Sequence, residues 1–154
     1  MKKRVNKAVV AFATTALLTT ALTAGTLGGG IAVTGDTTTL RGDVVIQNGI
    51  RLEPYFGFDY TESRVNDTNF NLGVAGHLLK ELTPVLTMYY GGYVGYTSDD
   101  AQTGATFNLG PVAGVEYALD PQFTLGAEVR FDMGFGDTTV MKTASAVTLR
   151  YYYY

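Results

Sequence analysis

Cysteine is absent from the 154 residues. No disulfide, thiolate metal site, cysteine nucleophile or lipid-modified N-terminal cysteine is therefore available. Tryptophan is also absent, and His77 is the single histidine. Charge is scarce: 16% of residues are Asp, Glu, Lys or Arg, against roughly 25% in an ordinary soluble domain. The balance is mildly acidic, 11 basic residues against 14 acidic, for a net of −3. That argues against a nucleic-acid footprint, and no nucleic-acid partner is expected. What the chain does have is 19 Gly, 11 Tyr and 8 Phe. Few charges with many glycines and aromatics point to a β protein in an unusual solvent. The length suits one modest domain.

Long hydrophobic runs are lacking beyond the start. Met1 to Lys7 carries Lys2, Lys3, Arg4 and Lys7; Ala8 to Leu22 is uncharged; Thr23, Ala24 and Gly25 are small. A basic start, a short apolar stretch and a small-residue exit describe a secretory signal peptide over residues 1–24. The stretch is too short for a comfortable membrane-spanning helix. Cleavage after Ala24 leaves Leu22 at the third position back, and cleavage after Gly25 places Thr23 there. Removing 1–24 takes four of the 11 basic residues, leaving seven against 14 acidic, a net of −7. The chain is expected to be exported, and residues 25–154 form the single remaining domain.

That domain has no 3.6-residue apolar period; it has period two. From Phe123 to Phe135 the odd positions are Phe123, Leu125, Ala127, Val129, Phe131, Met133 and Phe135. The even positions are Thr124, Gly126, Glu128, Arg130, Asp132 and Gly134. Successive strand side chains point to opposite faces, so this is a two-faced strand. The same alternation runs through 50–61, 69–79, 85–96, 105–119 and 141–153, giving six clear strands. Two weaker ones precede them, Gly30 to Thr34 and Leu40 to Gln47. Asn48-Gly49 reads as a hairpin turn, because this pair accepts positive φ. Short turns are expected at 80–84, 120–122 and 137–139, and longer polar loops at 62–68 and 98–104.

Alternation alone does not say whether the apolar face looks inward, as in a sandwich, or outward at lipid, as in a membrane barrel. Three features favour lipid. With the N-terminus on the periplasmic side, the outward aromatics gather in two girdles. Tyr60, Phe70, Tyr96, Phe107 and Phe135 fall near one rim; Tyr117, Phe123, Tyr151 and Tyr153 fall near the other. Rings favour the membrane interface, while the positions between are mostly Leu, Val, Ala and Met. Glu116, Glu128, Arg130 and Asp132 all take the inward phase, where charges can pair. Strands of 11 to 15 residues exceed the usual 5–6 of soluble sheets and suit a tilted crossing. Pro54 and Pro111 interrupt two strands and are expected to mark bulges.

The run FNLGPVAGVEYALDPQFTLGAEVRFDMGFG resembles the small outer-membrane β-barrel proteins of Gram-negative bacteria, the porin-like OmpA-type and OmpX-type barrels. A Gly-rich strand ending in Tyr, a short Pro-containing turn and an LGAE strand recur there. The closing AVTLRYYYY resembles the aromatic-ended last strand read by the barrel assembly machinery. The likeness covers about residues 50 to 154. It implies an all-β, antiparallel, up-and-down transmembrane barrel, with eight strands if the two weak ones are real. Fewer would force closure by several chains, and the oligomeric state stays open. It also implies an outer-membrane location, lipid around the wall and an encounter with the assembly machinery.

Glu128, Arg130 and Asp132, with Glu116 on the next strand, form the densest ionisable group by sequence. They read as a structural salt-bridge plug, with a selectivity cluster as the alternative, because eight strands enclose only enough room for packed side chains. His77 has no serine in a recognisable catalytic relation to it, so no enzyme activity is expected. A lipid deacylase would need His77. Neither a cofactor nor a metal is expected. Arg41-Gly42-Asp43 spells an adhesion tripeptide but falls in a strand. Asn66-Asp67-Thr68 matches a glycosylation sequon, yet reads as polar loop in an exported bacterial chain. Gly28-Gly29-Gly30 reads as flexible chain, and Asp99-Asp100 is too sparse for a cation site. The expected function is a structural role in envelope integrity or weak porin-like permeation. The alternative is an exported soluble β-sandwich or adhesin-type subunit.

Overall fold

The period-two segments form eight antiparallel strands: β1 (Thr26–Thr34), β2 (Thr37–Ile46), β3 (Ile50–Tyr60), β4 (Thr68–Thr83), β5 (Leu86–Asp99), β6 (Gly104–Ala118), β7 (Phe123–Phe135) and β8 (Thr139–Tyr153). The structure is a computed structural model describing residues 25–35, 37–46, 49–60, 68–99, 104–136 and 139–153. The proposed signal peptide, residues 1–24, and the Asn66-Asp67 part of the sequon lie outside the described residues. Each strand pairs with its neighbour in the chain, and β1 pairs with β8 to close the ring. Closure gives every strand two partners, so the backbone can satisfy itself without water.

The register is internally consistent. From Arg150 the cross-strand partners run to Gly30, Arg41, Tyr55, Gly73, Gly95, Asn108, Gly134 and back to β8 at Val140. One circuit thus returns ten residues earlier in the same strand. With ~3.4 Å per residue and ~4.8 Å between strands, that stagger tilts the strands by about 41°. Each residue then rises about 2.5 Å along the barrel axis.

The alternation points the apolar face outward. Leu125, Val129 and Phe131 are 45%, 54% and 40% exposed, whereas Glu128 between them is 2% exposed. The interior holds Arg51, Arg150, Glu53, Asp43, His77 and Tyr89, all essentially buried. This single closed ring with a greasy exterior sets aside the two-sheet sandwich. No helix among the described residues is long and apolar enough to cross a membrane; the crossing elements are strands.

Several boundaries differ from expectation. The glycine run is not flexible chain: Gly28, Gly29 and Gly30 lie inside β1, which starts at Thr26. A Cβ on Gly28 would meet the Tyr152 ring at 2.7 Å, so the bare backbone makes room for large lumen side chains of β8. β4 runs through Lys80 to Thr83, leaving a tight turn at Pro84-Val85. There the Thr83 hydroxyl accepts from the amides of Val85 and Leu86. Neither proline makes a bulge. The β2–β3 ladder skips two rungs, at Pro54 and Glu53, and resumes unshifted at Val44↔Leu52. The β6–β7 ladder does the same at Pro111, between Leu109↔Met133 and Val112↔Arg130. Each proline forfeits a ladder bond without inserting a residue. The register shifts instead between Glu81 and Thr83. At the 120–122 turn, Asp120 Oδ1 accepts from the amides of Gln122 and Phe123, both at 2.7 Å. Gly49 adopts φ 74°, as a hairpin glycine must; Asn48 lies outside the described residues.

Inward glycines are matched to inward tyrosines. A Cβ on Gly114 would fall 2.4 Å from Tyr89 Cζ and 2.6 Å from the Ala127 carbonyl. Gly114→Val should therefore displace Tyr89 and destabilise the barrel by about 1–3 kcal/mol, the usual cost of overpacking. Urea titration of the inserted protein checks this; an unchanged midpoint would show that the Tyr89 ring is free to move.

Candidate functional site: a buried ion network in the lumen

The lumen brings together charges that are distant in sequence. Three arginines, Arg41, Arg51 and Arg150, meet four carboxylates, Asp43, Glu53, Glu116 and Glu128, all buried. Strand alternation aims each inward, and the stagger carries them to similar heights. Arg41 bridges two acids: Nη1 donates to Glu53 Oε1 at 2.7 Å and to Glu128 Oε2 at 2.8 Å, and Nη2 to Glu128 Oε1 at 3.0 Å. Arg150 Nη2 donates to Glu53 Oε2 at 2.8 Å, and its Nη1 to Glu116 Oε2 at 3.2 Å and Thr148 Oγ1 at 2.8 Å. Arg51 Nη1 donates to Glu116 Oε2 at 2.8 Å and to the Tyr152 hydroxyl at 3.0 Å. Asp43 Oδ1 lies 3.6 Å from Arg51 Nε and 3.5 Å from Arg150 Nε.

Tyr89 sits among these groups. Its ring lies 4.4 Å from the Arg51 guanidinium carbon and 5.3 Å from that of Arg150. Its hydroxyl donates to Glu128 Oε2 at 3.1 Å. Cation–π contact and charge-assisted hydrogen bonds replace the water that these ions have lost.

The sequence-named cluster is divided by this geometry. Glu116 and Glu128 belong to the network. Arg130 is half-buried, with Nε 3.6 Å from Glu128 Oε1. Asp132 accepts a hydrogen bond from the Tyr93 hydroxyl. The densest ionisable group is therefore not 116, 128, 130 and 132 but the seven-membered set above. Period-two alternation puts Arg41, Asp43, Arg51, Glu53 and Arg150 on the polar phase of their strands but does not link them. The signal that joins them is the ten-residue stagger, which pattern alone does not reveal.

His77 is buried on β4. Its Nδ1 accepts from Arg51 Nε at 3.4 Å, and its ring meets Tyr89 edge-on at 5.0 Å between centroids. Donor atoms of Glu53, His77 and Glu128 lie within 4.8 Å of one another. Arg41 and Arg150 already hold both carboxylates of that trio. The arrangement is neutralised by arginine, and a divalent ion there would face guanidinium charge.

On the outer wall, Tyr96, Phe107 and Phe135 are exposed near the rim remote from the termini, with Phe70 half-exposed 6.3 Å from Tyr96 between ring centroids. Tyr117, Phe123 and Tyr153 are exposed near the other rim, and Tyr151 lies edge-on to Phe123 and Tyr153, 4.8 Å from each. The side chain of Tyr60 lies outside the described residues. Phe131 is exposed between the two groups.

No protein-family model and no curated protein sequence matches this chain. Solved structures do. The Neisserial surface protein A structure superposes with a TM-score of 0.60 at 16% identity, covering 82% of this chain and 92% of that one. A de novo designed transmembrane β-barrel gives 0.56 at 18% identity, covering 84% and 97%. The N-terminal β-barrel domain of OprF from Pseudomonas aeruginosa gives 0.54 at 13% identity, covering 83% and 96%. The fold is that of the small transmembrane β-barrels. The natural examples are bacterial outer-membrane proteins. The exposed aliphatic belt of this barrel meets the same requirement, an apolar solvent around the wall.

Proposed function

We propose that the protein is a structural barrel of the bacterial outer membrane whose lumen is closed by salt bridges, so that solute permeation is at most slight. The carrying observation is the Arg41–Glu53–Arg150–Glu116 network, which fills the cross-section with buried, mutually paired side chains. Eight strands leave room for packed side chains and not for a wide aqueous pore. Export by the N-terminal segment, termini on the periplasmic side and insertion by the barrel assembly machinery complete the reading. It is non-enzymatic: His77 is engaged by Arg51 and Tyr89 within the network.

Planar-bilayer recording tests this. The native protein should show no sustained openings. The paired variant Arg41→Ser with Glu128→Ser removes a matched cation and anion and should open a small conducting path. Steady conduction by the native protein would contradict a closed plug.

A further inference from the structure

Beyond the ion network, the half of the lumen away from the termini holds a polar cavity of about 140 Å³. Arg130, Lys142, Tyr55, Tyr93 and Asn71 line it, with Asp132 the one carboxylate among the described lining residues. The Arg130 guanidinium carbon lies 5.4 Å from the Tyr93 ring centroid and 6.0 Å from that of Tyr55. Its only ion-pair contact among the described residues is through Nε to Glu128. Both Nη groups, the fork that binds planar or tetrahedral oxyanions, donate to no protein acceptor among the described residues. Asn71 Oδ1 is buried without a hydrogen-bond partner; as an acceptor it suits the P–OH proton of a hydrogen phosphate rather than a bare anionic oxygen. Asp132 is engaged by the Tyr93 hydroxyl and stands opposite Lys142 across the β7–β8 ladder. Two cations against one anion leave the cavity positive, above a network in which four carboxylates outnumber three arginines.

We propose that this cavity is a binding site for a phosphate-class oxyanion, gripped by the Arg130 fork. Two aromatic faces hold the guanidinium in place, which lowers the ordering cost of a bidentate contact. A cavity of comparable size admits a molecule as large as benzene, so a phosphate group fits.

The wall supplies a second entrance. The last β1–β8 partners are Val33↔Val147, while β8 continues to Thr139 with β7 as its only strand partner among the described residues. At about 2.5 Å per residue, β8 climbs roughly 20 Å above that rung. The β1–β2 hairpin stops short, and Thr34 and Thr37 at its end line the cavity together with Lys142 and Ala144, from the stretch of β8 that pairs with β7 but not with β1. The oxyanion can therefore arrive from water through the rim or, on a lipid headgroup, sideways over the hairpin.

Calorimetric titration separates the sources. The first arm titrates inorganic phosphate into refolded protein in phosphorus-free alkyl-glucoside micelles. The second titrates phosphatidic acid, a phosphate monoester lipid, into protein reconstituted in phosphatidylcholine. Binding in at least one arm is expected, weakened about tenfold or more by Arg130→Gln and less by Arg130→Lys, because charge survives without the fork. Lys142→Gln should weaken it by a smaller factor. Binding of inorganic phosphate assigns a soluble anion, and binding of the lipid alone assigns a headgroup. Binding in neither arm, or equal binding by Arg130→Gln protein that retains the mobility of the folded barrel on unheated gels, overturns the proposal. Only the second arm depends on the bilayer reading, so the micelle arm fails or succeeds independently of it.

Discussion

Arg150→Ala should cost about 3–5 kcal/mol of barrel stability, the typical penalty for stranding buried charge. Arg150 is 1% exposed and donates to Glu53, Glu116 and Thr148. Asp43 Oδ1 and Glu128 Oε2 lie 3.5 and 3.8 Å from its guanidinium. Truncation leaves Glu53 with Arg41 as its nearest remaining cation and leaves the Asp43 carboxylate with only Arg51 nearby. No bulk water is at hand to replace the lost donors, so the full desolvation penalty is felt. Urea unfolding of protein inserted in vesicles gives the number. Pairing the change with Glu53→Gln should recover part of the loss, by about 0.5–3 kcal/mol, as expected of groups in one network. A single-variant loss under about 1 kcal/mol would show that the network is solvated and the plug loose.

The second large effect lies on the opposite face one strand away. Val129→Arg places a guanidinium on the wall where Val129 is 54% exposed, flanked by Ala113 and Ser145. Val129 lies about midway between the two groups of rim aromatics. A basic residue at the bilayer midplane costs about 2–4 kcal/mol. In a water-soluble barrel the same change would cost within about 0.5 kcal/mol. Ala144→Lys, on the lumen phase of the neighbouring strand and lining the cavity, is the matched control and should cost far less. Equal tolerance of both changes would argue that Val129 does not meet hydrocarbon.

Much of this was legible from period two. Each strand's inward and outward phase follows from alternation, because the side-chain repeat of a strand admits no intermediate setting. The alternation of β7 therefore assigns Glu128 to the lumen and Val129 to the wall without coordinates. Three things were not legible. β1 is a glycine-rich strand whose signal is weak because its glycines carry no side chains; their purpose shows only against Tyr152 and Arg150 of β8. Proline suggested bulges at 54 and 111, but a missing donor costs a rung and need not add a residue. The membership of the ion network depended on register. Arg41 and Glu128 are 87 residues apart, and a ten-residue stagger decides which inward charges share a height. The string Arg41-Gly42-Asp43 illustrates this. Its charged members are neither loop nor adhesive surface; both are buried in the lumen network.

The absence of tryptophan provides a clean background for the most direct test. Single tryptophans at Leu125, Val129 and Phe131, and at Arg130 and Ala144, can be read by fluorescence in vesicles of brominated phosphatidylcholine. Strong quenching at 125, 129 and 131 with little at 130 and 144 is the outcome expected of a barrel whose apolar face meets hydrocarbon. Quenching at 130 and 144, with 125, 129 and 131 shielded from the bromines, would place the apolar face inside and contradict the membrane barrel outright.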